Sequence, residues 1–411
     1  MKPIKLATCV IIILCLFSSA ATARKKITQP TERAAYHNNQ GISFLNAGDI
    51  KRAEFEFKTA IELSPDYVEA YNNLGIIYEM QGEKQKAIKQ FQKAISLDKD
   101  YAAAYSHLGA IYLAQDKIDE AINVIKKALK KDGTLADARY NLGLAYIKKY
   151  EQTKNDKFAD LAETELKKAT ELDPNLYYVH KILADFYQSR GKYELAIIRY
   201  RLALANEPES EELWLKLGKI YQITGDEPRA QNCFQKAASL KQESPEAQMQ
   251  LGLSYLNANR FEEAAQIFQT VTETNPLNEL AWYRLGTTYL QTADNSSGKK
   301  QASYLTQAQA ALKKAKEINP QLADASYNLG LIYLKQGKTL EAKQEWEYTI
   351  TISPKHARAL YNLGLLYQQL GDTKKGLKLL CDFVKAAPKE YQLEIATAQK
   401  TIEDQNHQCH D

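Results

Sequence analysis

A repeat period of 34 residues constrains this chain more than any other feature of its sequence. Aligned on a recurring Leu-Gly pair, the chain falls into ten repeats, and nine of them have glycine at the eighth position. These glycines are Gly41, Gly75, Gly109, Gly143, Gly218, Gly252, Gly286, Gly330 and Gly364. Self-similarity at this period is typical of a solenoid, in which each unit buries its apolar face against its neighbours.

Within each repeat, two patterns of helical period flank a short polar turn. The first helix has leucine at position 7, glycine at 8 and an aromatic at 11, and the second has a small residue at 20 and a large apolar residue at 24. Glycine in a helix interior costs about 1 kcal/mol relative to alanine, so its repetition predicts that two helices approach closely there. Glycine at position 15 and proline at position 32 mark the expected helix ends.

This set of positions resembles the tetratricopeptide repeat, and the resemblance covers residues 34–390. It implies an all-α fold, a right-handed α-solenoid (superhelix) of ten helix-turn-helix repeats. In that family the first helix of each pair lines a concave groove that accepts a peptide or a helix of another protein. An apolar stripe over residues 391–405 predicts a C-terminal capping helix, and we expect residues 406–411 to form a disordered tail.

Repeats 4 and 8 carry insertions of seven and ten residues between their two helices. The added residues are polar and lie around 150–157 and 292–301. We expect each to form a surface loop or a modest helix extension. Such a segment either contributes a contact at one edge of the solenoid or is a neutral change in length.

The first 23 residues predict a secretory signal peptide. Lys2 and Lys5 precede an apolar stretch at 7–17, and an Ala-x-Ala pattern ends at Ala23. A linker at 24–33 then leads into the first repeat. The alternative is an uncleaved membrane anchor, because residues 6–23 carry no charge. We therefore expect a periplasmic or secreted protein, with inner-membrane anchoring as the alternative.

The charges are nearly balanced, with 54 Lys and Arg against 50 Asp and Glu. Because acids and bases are interspersed, there is no electrostatic footprint for nucleic acid, and the expected partners are proteins. Contact with a membrane is expected only through an uncleaved N-terminal segment. Cleavage would leave Cys233, Cys381 and Cys409. This odd number without regular spacing predicts buried thiols at the first two positions rather than a disulfide framework.

No catalytic motif stands out: a P-loop, a Gly-x-Ser-x-Gly elbow, a His-Glu-x-x-His pair and a Cys-x-x-Cys pair are all missing from the sequence. The tail residues His407, Cys409 and His410 offer ligands for a transition metal, although a frayed terminus is the simpler interpretation. We predict no catalytic residue, no metal site and no cofactor, and hence a protein that is not an enzyme.

Position 6 of the first helix is expected on the concave side, and five repeats have asparagine there. These residues are Asn39, Asn73, Asn141, Asn328 and Asn362. Because an amide side chain both donates and accepts hydrogen bonds, such a row can bind the backbone of an extended peptide. The middle repeats interrupt the row, and asparagine is common at this position in the family whatever its role. The carboxylate clamp of chaperone-binding members is not expected, because Lys181 is followed by Asp185 where the clamp has asparagine.

Tyrosine, leucine and uncharged polar residues make up most of the remaining expected groove, which suits an amphipathic helix or an extended apolar strand. The sequence thus predicts a non-enzymatic scaffold or adaptor of the bacterial cell envelope that binds a client protein in its concave groove. The alternative is a membrane-anchored regulatory subunit of an enzyme or an assembly complex.

Overall fold

The computed structural model describes residues 29–240, 244–405 and 408–409. In these residues the chain forms α-helices, one short 3-10 helix and no strand. The predicted signal peptide at 1–23 and the first part of the predicted linker lie outside the described residues. Backbone contacts divide the chain into two compact units, which we call unit 1 (up to Asn206) and unit 2 (from Glu207).

Unit 1 contains the helix pairs of repeats 1 to 5. Its helices are α1 (Glu32–Asn46), α2 (Ile50–Leu63), α3 (Val68–Met80), α4 (Lys84–Leu97), α5 (Ala102–Ala114), α6 (Ile118–Lys131), α7 (Ala136–Thr153), α8 (Asp156–Leu172), α9 (Tyr178–Ser189) and α10 (Tyr193–Asn206). Helix α1 thus begins inside the segment predicted as a linker.

Unit 2 contains repeats 6 to 10 and a further C-terminal helix. Its helices are α11 (Glu211–Ile223), α12 (Glu227–Leu240), α13 (Pro245–Asn257), α14 (Phe261–Thr274), α15 (Glu279–Asp294), α16 (Gly298–Ile318), α17 (Ala323–Lys335), α18 (Thr339–Ile352), α19 (Ala357–Gln369), α20 (Thr373–Ala386), a 3-10 turn (Lys389–Tyr391) and α21 (Gln392–Asp404). Each repeat is one helix pair, which confirms the predicted all-α repeat fold.

The core of each unit is built from the large residue at position 24 of the second helices, all at most 1% exposed. These residues are Phe57, Phe91, Ile125, Leu166 and Tyr200 in unit 1, and Phe234, Phe268, Leu312, Trp346 and Leu380 in unit 2. A Cβ atom placed on Gly75 would lie 2.6 Å from the ring of Phe91. Because real contacts are longer, a side chain at Gly75 would clash with this ring, and the predicted close helix approach is confirmed.

In eight of the ten repeats, the turn after the first helix has a left-handed residue at position 15. Six repeats have glycine there, with φ between 69° and 87°. Repeats 3 and 7 have Asp116 and Asn259 instead, with φ of 61° and 57°. Aspartate and asparagine tolerate this conformation better than other side chains that have a Cβ atom, so the turn is kept without glycine.

The insertions of repeats 4 and 8 lengthen their helices. Helices α7 and α8 have 18 and 17 residues, and α15 and α16 have 16 and 21. Lys154 follows the end of α7 and Gly298 is the first residue of α16, and both adopt positive φ. Of the two forms considered for the insertions, the structure therefore shows the helix extension, and a role in contacts to a partner stays a prediction.

The C-terminal end of unit 2 is closed by α21, which buries Ala398 and Ile402 in one apolar cluster with Leu380 and Phe383 of α20. A disulfide joins Cys381 of α20 to Cys409, with Cα atoms 5.5 Å apart. The prediction that Cys381 stays a thiol was therefore wrong, because α21 returns the chain to α20 and the sequence spacing does not show this. Cys233 is a buried free thiol, as predicted. Part of the segment predicted as a disordered tail is anchored through Cys409.

None of the helices in the described ranges is both long and apolar enough to span a bilayer.

Candidate protein-binding face

The first helices of repeats 1 to 3 present a continuous side that we call the inner face of unit 1. It comprises positions 2, 5, 6, 9, 12 and 13 of each helix, whose spacing places them on one side of a helix. The residues are Ala35, Asn38, Asn39, Ile42, Leu45 and Asn46 of α1; Glu69, Asn72, Asn73, Ile76, Glu79 and Met80 of α3; and Ala103, Ser106, His107, Ala110, Leu113 and Ala114 of α5.

Apolar groups on this face are within reach of a partner. Met80 is 42% exposed, and Ile42, Ala103 and Ala110 are partly exposed. Asn39 is exposed beside them. The face thus combines accessible apolar side chains with a few amides, which is the composition that protein-binding surfaces use.

The predicted asparagine row of unit 1 forms contacts within the protein. The Nδ2 group of Asn73 donates to Oδ1 of Asn38 at 3.0 Å, one repeat earlier. Asn38 also lies near Tyr67, whose pKa is raised by burial. Asn39 is exposed and Asn141 is half-buried, and neither forms a hydrogen bond within the described residues. Binding of a peptide backbone by this row stays a prediction.

The same geometry recurs in unit 2. The Nδ2 group of Asn328 donates to the Tyr283 hydroxyl at 3.5 Å, and that of Asn362 donates to the Tyr327 hydroxyl at 3.0 Å. In all three pairs an asparagine at position 6 binds the residue at position 5 of the preceding repeat. Sequence reasoning missed this role because the two partners lie one repeat apart, although the hydrogen-bonding residue at position 5 is a signal for it.

On the equivalent face of repeats 8 to 10 in unit 2, three of the four charged residues form ion pairs, and the fourth, Arg284, lies over the Tyr283 ring. Nδ1 of His356 accepts the Ala359 N–H, and Nε2 lies 3.2 Å from Oδ1 of Asp324. Arg358 donates to the same carboxylate at 3.2 Å and lies over the Tyr327 ring. The His356 hydrogen bond, aided by Arg358, lowers the pKa of Asp324. This face therefore carries few charges that remain available to a partner.

The inner face of unit 1 is different, because its two carboxylates, Glu69 and Glu79, have no ion-pair partner among the described residues. His107 stacks on Phe91 with ring centroids 5.3 Å apart, and burial lowers its pKa to about 4, so it is neutral at pH 7. Burial raises the pKa of Glu79 to about 7. The face is thus apolar and weakly acidic.

Unit 2 also contains a polar cleft of about 370 Å³ between α13 and α15. It is lined by Leu253, Leu256, Asn257, Asn259, Phe261, Arg284, Gln291, Asp294 and Asn295. The last two belong to the extended end of α15, so the insertion of repeat 8 forms part of the wall. Asp294 is already paired with Lys335 at 2.7 Å, and the cleft therefore offers mainly amide groups and one arginine.

In the part of the chain that the structure describes, no three histidine, cysteine, aspartate or glutamate side chains are grouped as metal ligands. His407 and His410 of the tail lie outside that part. Cys409 is bonded to Cys381 and offers no thiolate to a metal.

Comparison with known families identifies the repeat along much of the chain. Models described as tetratricopeptide repeats match residues 68–101 and 327–391, and a TPR repeat model matches 43–82 and 111–149. A model of the middle TPR-like domain of cilia and flagella-associated protein 70 matches residues 180–313. The chain is therefore an array of tetratricopeptide repeats, a fold that serves as a scaffold for protein–protein interaction.

One curated relative is the cilia- and flagella-associated protein 70 of Homo sapiens, 26% identical over 131 residues. The match covers 30% of this chain and 12% of the human protein, so the chain spans about an eighth of that relative.

Similar solved structures share the fold alone. TTC0263, a thermophilic TPR protein of Thermus thermophilus, is 23% identical, with a TM-score of 0.39 over 46% of this chain and 99% of its own. Yeast Tom70 is 14% identical, with a TM-score of 0.42 over 92% and 97%. The type IV pilus biogenesis factor PilW is 20% identical, with a TM-score of 0.47 over 53% and 98%.

Proposed function

We propose that this protein is a non-enzymatic scaffold of the bacterial cell envelope. In this proposal, the inner face of unit 1 binds an amphipathic helix or an extended segment of a client protein. The observation that carries the proposal is the row of accessible apolar side chains across three successive first helices, from Ile42 through Met80 to Ala110. Such a face on rigid helices matches the groove-binding mode of peptide recognition.

Two features support a location outside the cytoplasm. The sequence begins with a segment that has the three regions of a signal peptide. The disulfide between Cys381 and Cys409 fits an oxidising compartment, since structural disulfides are rare in the cytosol of most bacteria. Both features agree with export to the periplasm.

A co-purification experiment tests the binding face. Tagged protein is isolated from envelope extracts as the wild type, as Asn39→Arg and as Glu62→Arg, in which the changed residue lies on the exposed side of α2. We expect clients to be lost with Asn39→Arg, because a large charged side chain then projects from the face, and to be kept with Glu62→Arg. Equal retention by both variants would exclude this face as the binding site.

Cell fractionation with N-terminal sequencing tests the location. We expect a periplasmic protein that begins after Ala23, and an intact Met1 end in the cytoplasm would contradict export. The uncharged run at 6–23 favours a second candidate, a membrane-anchored regulatory subunit. Carbonate extraction separates the two, because only a protein that keeps a spanning helix stays in the membrane pellet.

A further inference from the structure

Position 12 of the first helix is an aliphatic, buried position in three of the first four repeats. Leu45, Leu113 and Ile147 occupy it and are at most 7% exposed. Repeat 2 has Glu79 instead. One carboxylate thus replaces an aliphatic side chain within an otherwise regular packing scheme.

Glu79 has no partner for its charge. The side chain is half-buried, and its carboxylate forms no hydrogen bond or salt bridge within the described residues. Lys84 of α4 lies near enough to favour the charged form, but burial outweighs its effect on the pKa of Glu79. The first helix of the next repeat, α5, contains no Asp, Glu, Lys or Arg. The carboxylate is therefore poorly solvated and uncompensated in the protein alone.

An uncompensated carboxylate lowers the stability of the fold. Leucine at position 12 is compatible with the repeat, because repeats 1 and 3 have Leu45 and Leu113 there. Glu79 departs from the aliphatic pattern of position 12 without improving the packing. Such a departure indicates a role in binding another molecule rather than in folding. A cation supplied by a partner would give Glu79 the ion pair that it lacks.

The surroundings of Glu79 define the partner further. Ile76 lies one turn earlier on the same stripe, and Met80 is exposed beside the carboxylate. Glu69 adds a second negative charge to the same face. A nucleic acid is disfavoured because both charges repel phosphate. An apolar protein segment with one basic side chain would complement both the apolar side chains and the negative charge of this face.

We propose that the inner face of unit 1 binds an apolar segment of a partner protein that presents one lysine or arginine side chain to Glu79. This inference rests on the proposed function and specifies the chemistry of its ligand. The apolar part of the segment covers Ile42 and Met80, and the basic side chain forms an ion pair with the carboxylate.

A random peptide-display library is the probe. It is selected against the full-length wild-type protein and, in parallel, against Glu79→Gln and Glu62→Gln. Glu62 is an exposed glutamate of α2 and provides the matched control. We expect wild type and Glu62→Gln to enrich apolar peptides with one lysine or arginine, and Glu79→Gln to lose the preference for the basic residue.

One enriched peptide is then compared with its analogue in which norleucine replaces the basic residue. We expect Glu79→Gln to weaken binding of the basic peptide by about tenfold and to leave the neutral analogue unchanged, a coupling in the usual range for close charge pairs. A basic preference that persists in Glu79→Gln, or no coupling in this cycle, would overturn the inference.

The variant Asn39→Arg separates this inference from the proposed function. Peptides that bind wild type and fail to bind Asn39→Arg show that the inner face is used. If such peptides lack any basic preference, the face is a binding site and the assignment to Glu79 is wrong. If no peptide depends on Asn39, or none is enriched, both the function and the inference fail.

Discussion

The inner face of unit 1 and its counterpart in repeats 8 to 10 of unit 2 use the same helix positions and balance their charges differently. In unit 2, Asp324 is held by His356 and Arg358, and Lys335 is held by Asp294. In unit 1, Glu69 and Glu79 have no such partners within the described residues. The packing positions of the repeat therefore determine the helix pairs, whereas the face positions can hold either paired charges or unpaired carboxylates.

The two units also differ at their ends. Unit 2 is closed by α21 and by the disulfide between Cys381 and Cys409. The first repeat of unit 1 has Gln40 at position 7, where the other nine repeats have leucine, and His37 at position 4, where five of the other repeats have Tyr, Trp or Leu. An array needs polar ends to stay soluble, and the two units meet that need with different means.

The largest effect is expected from removal of a core ring in one unit. Phe91→Ala should lower the free energy of unfolding of unit 1 by about 3–5 kcal/mol, because the side chain is fully buried against Gly75. Hydrogen exchange followed by mass spectrometry measures this change for each helix. Phe268→Ala is the matched change in unit 2, and equal loss of protection in both units with either variant would show that the units do not unfold separately.

Loss of the disulfide should destabilise unit 2 alone. Cys409→Ser opens a loop with a sequence separation of 28 residues, and we expect a loss of about 3 kcal/mol from the added freedom of the unfolded chain. Thermal melts with and without dithiothreitol measure the effect. The wild type should respond to the reductant and Cys409→Ser should not, whereas a response in α1 to α6 would contradict the comparison.

Glu79 should reduce stability in a way that depends on pH. Burial raises its pKa from 4.5 to about 7. The unfolded state therefore releases this proton at lower pH than the folded state, so stability falls as the pH rises from 4.5 to 7. Glu79→Leu should gain about 3 kcal/mol at most near pH 8, and the gain should fade toward pH 4. Urea denaturation across this range measures it.

Asp324 of unit 2 is the control for this titration. Its pKa is lowered by His356 and Arg358, so its contribution is favourable above the unfolded pKa and is lost as the pH falls through the folded pKa. Asp324→Asn should therefore destabilise the protein near pH 7, opposite in sign to Glu79→Leu. If both substitutions changed stability in the same direction near pH 7, the two faces would not differ electrostatically as described.

The smallest effect is expected in the asparagine row. Asn73→Ala removes the bond to Asn38 and Asn362→Ala removes the bond to the Tyr327 hydroxyl, each with an expected loss of about 1 kcal/mol. Asn39→Ala, at an exposed position without a hydrogen bond, should change stability by less than about 0.5 kcal/mol. Equal losses at all three positions would argue against the inter-repeat role.

Much of the fold follows from residues whose requirements are local. Glycine at position 8, a small residue at 20 and proline at 32 predict the helix pairs and their ends, because each depends on sterics within one repeat. The helix extension at 150–157 was one of two forms left open, since a polar segment that can form a helix does so only when its neighbours support it.

Less of the candidate site could be predicted. The recurrence of asparagine at position 6 is visible in the sequence, but the hydrogen-bond partners of Asn73, Asn328 and Asn362 come from the preceding repeat and depend on how adjacent first helices are placed. Glu79 does not stand out in the sequence, because one glutamate among 50 acidic residues gives no sign of its burial. The same applies to the disulfide, since Cys409 reaches Cys381 only after α21 folds back on α20.

The repeat, the helix pairs and the steric reason for each packing glycine can be read from the amino-acid sequence, because these depend on interactions within about one period of the chain. The folded structure is needed to show which charges are paired, which amides bond between repeats and which cysteines are bonded. Those properties depend on burial and on distances between residues far apart in the chain, which no local pattern of residue types encodes.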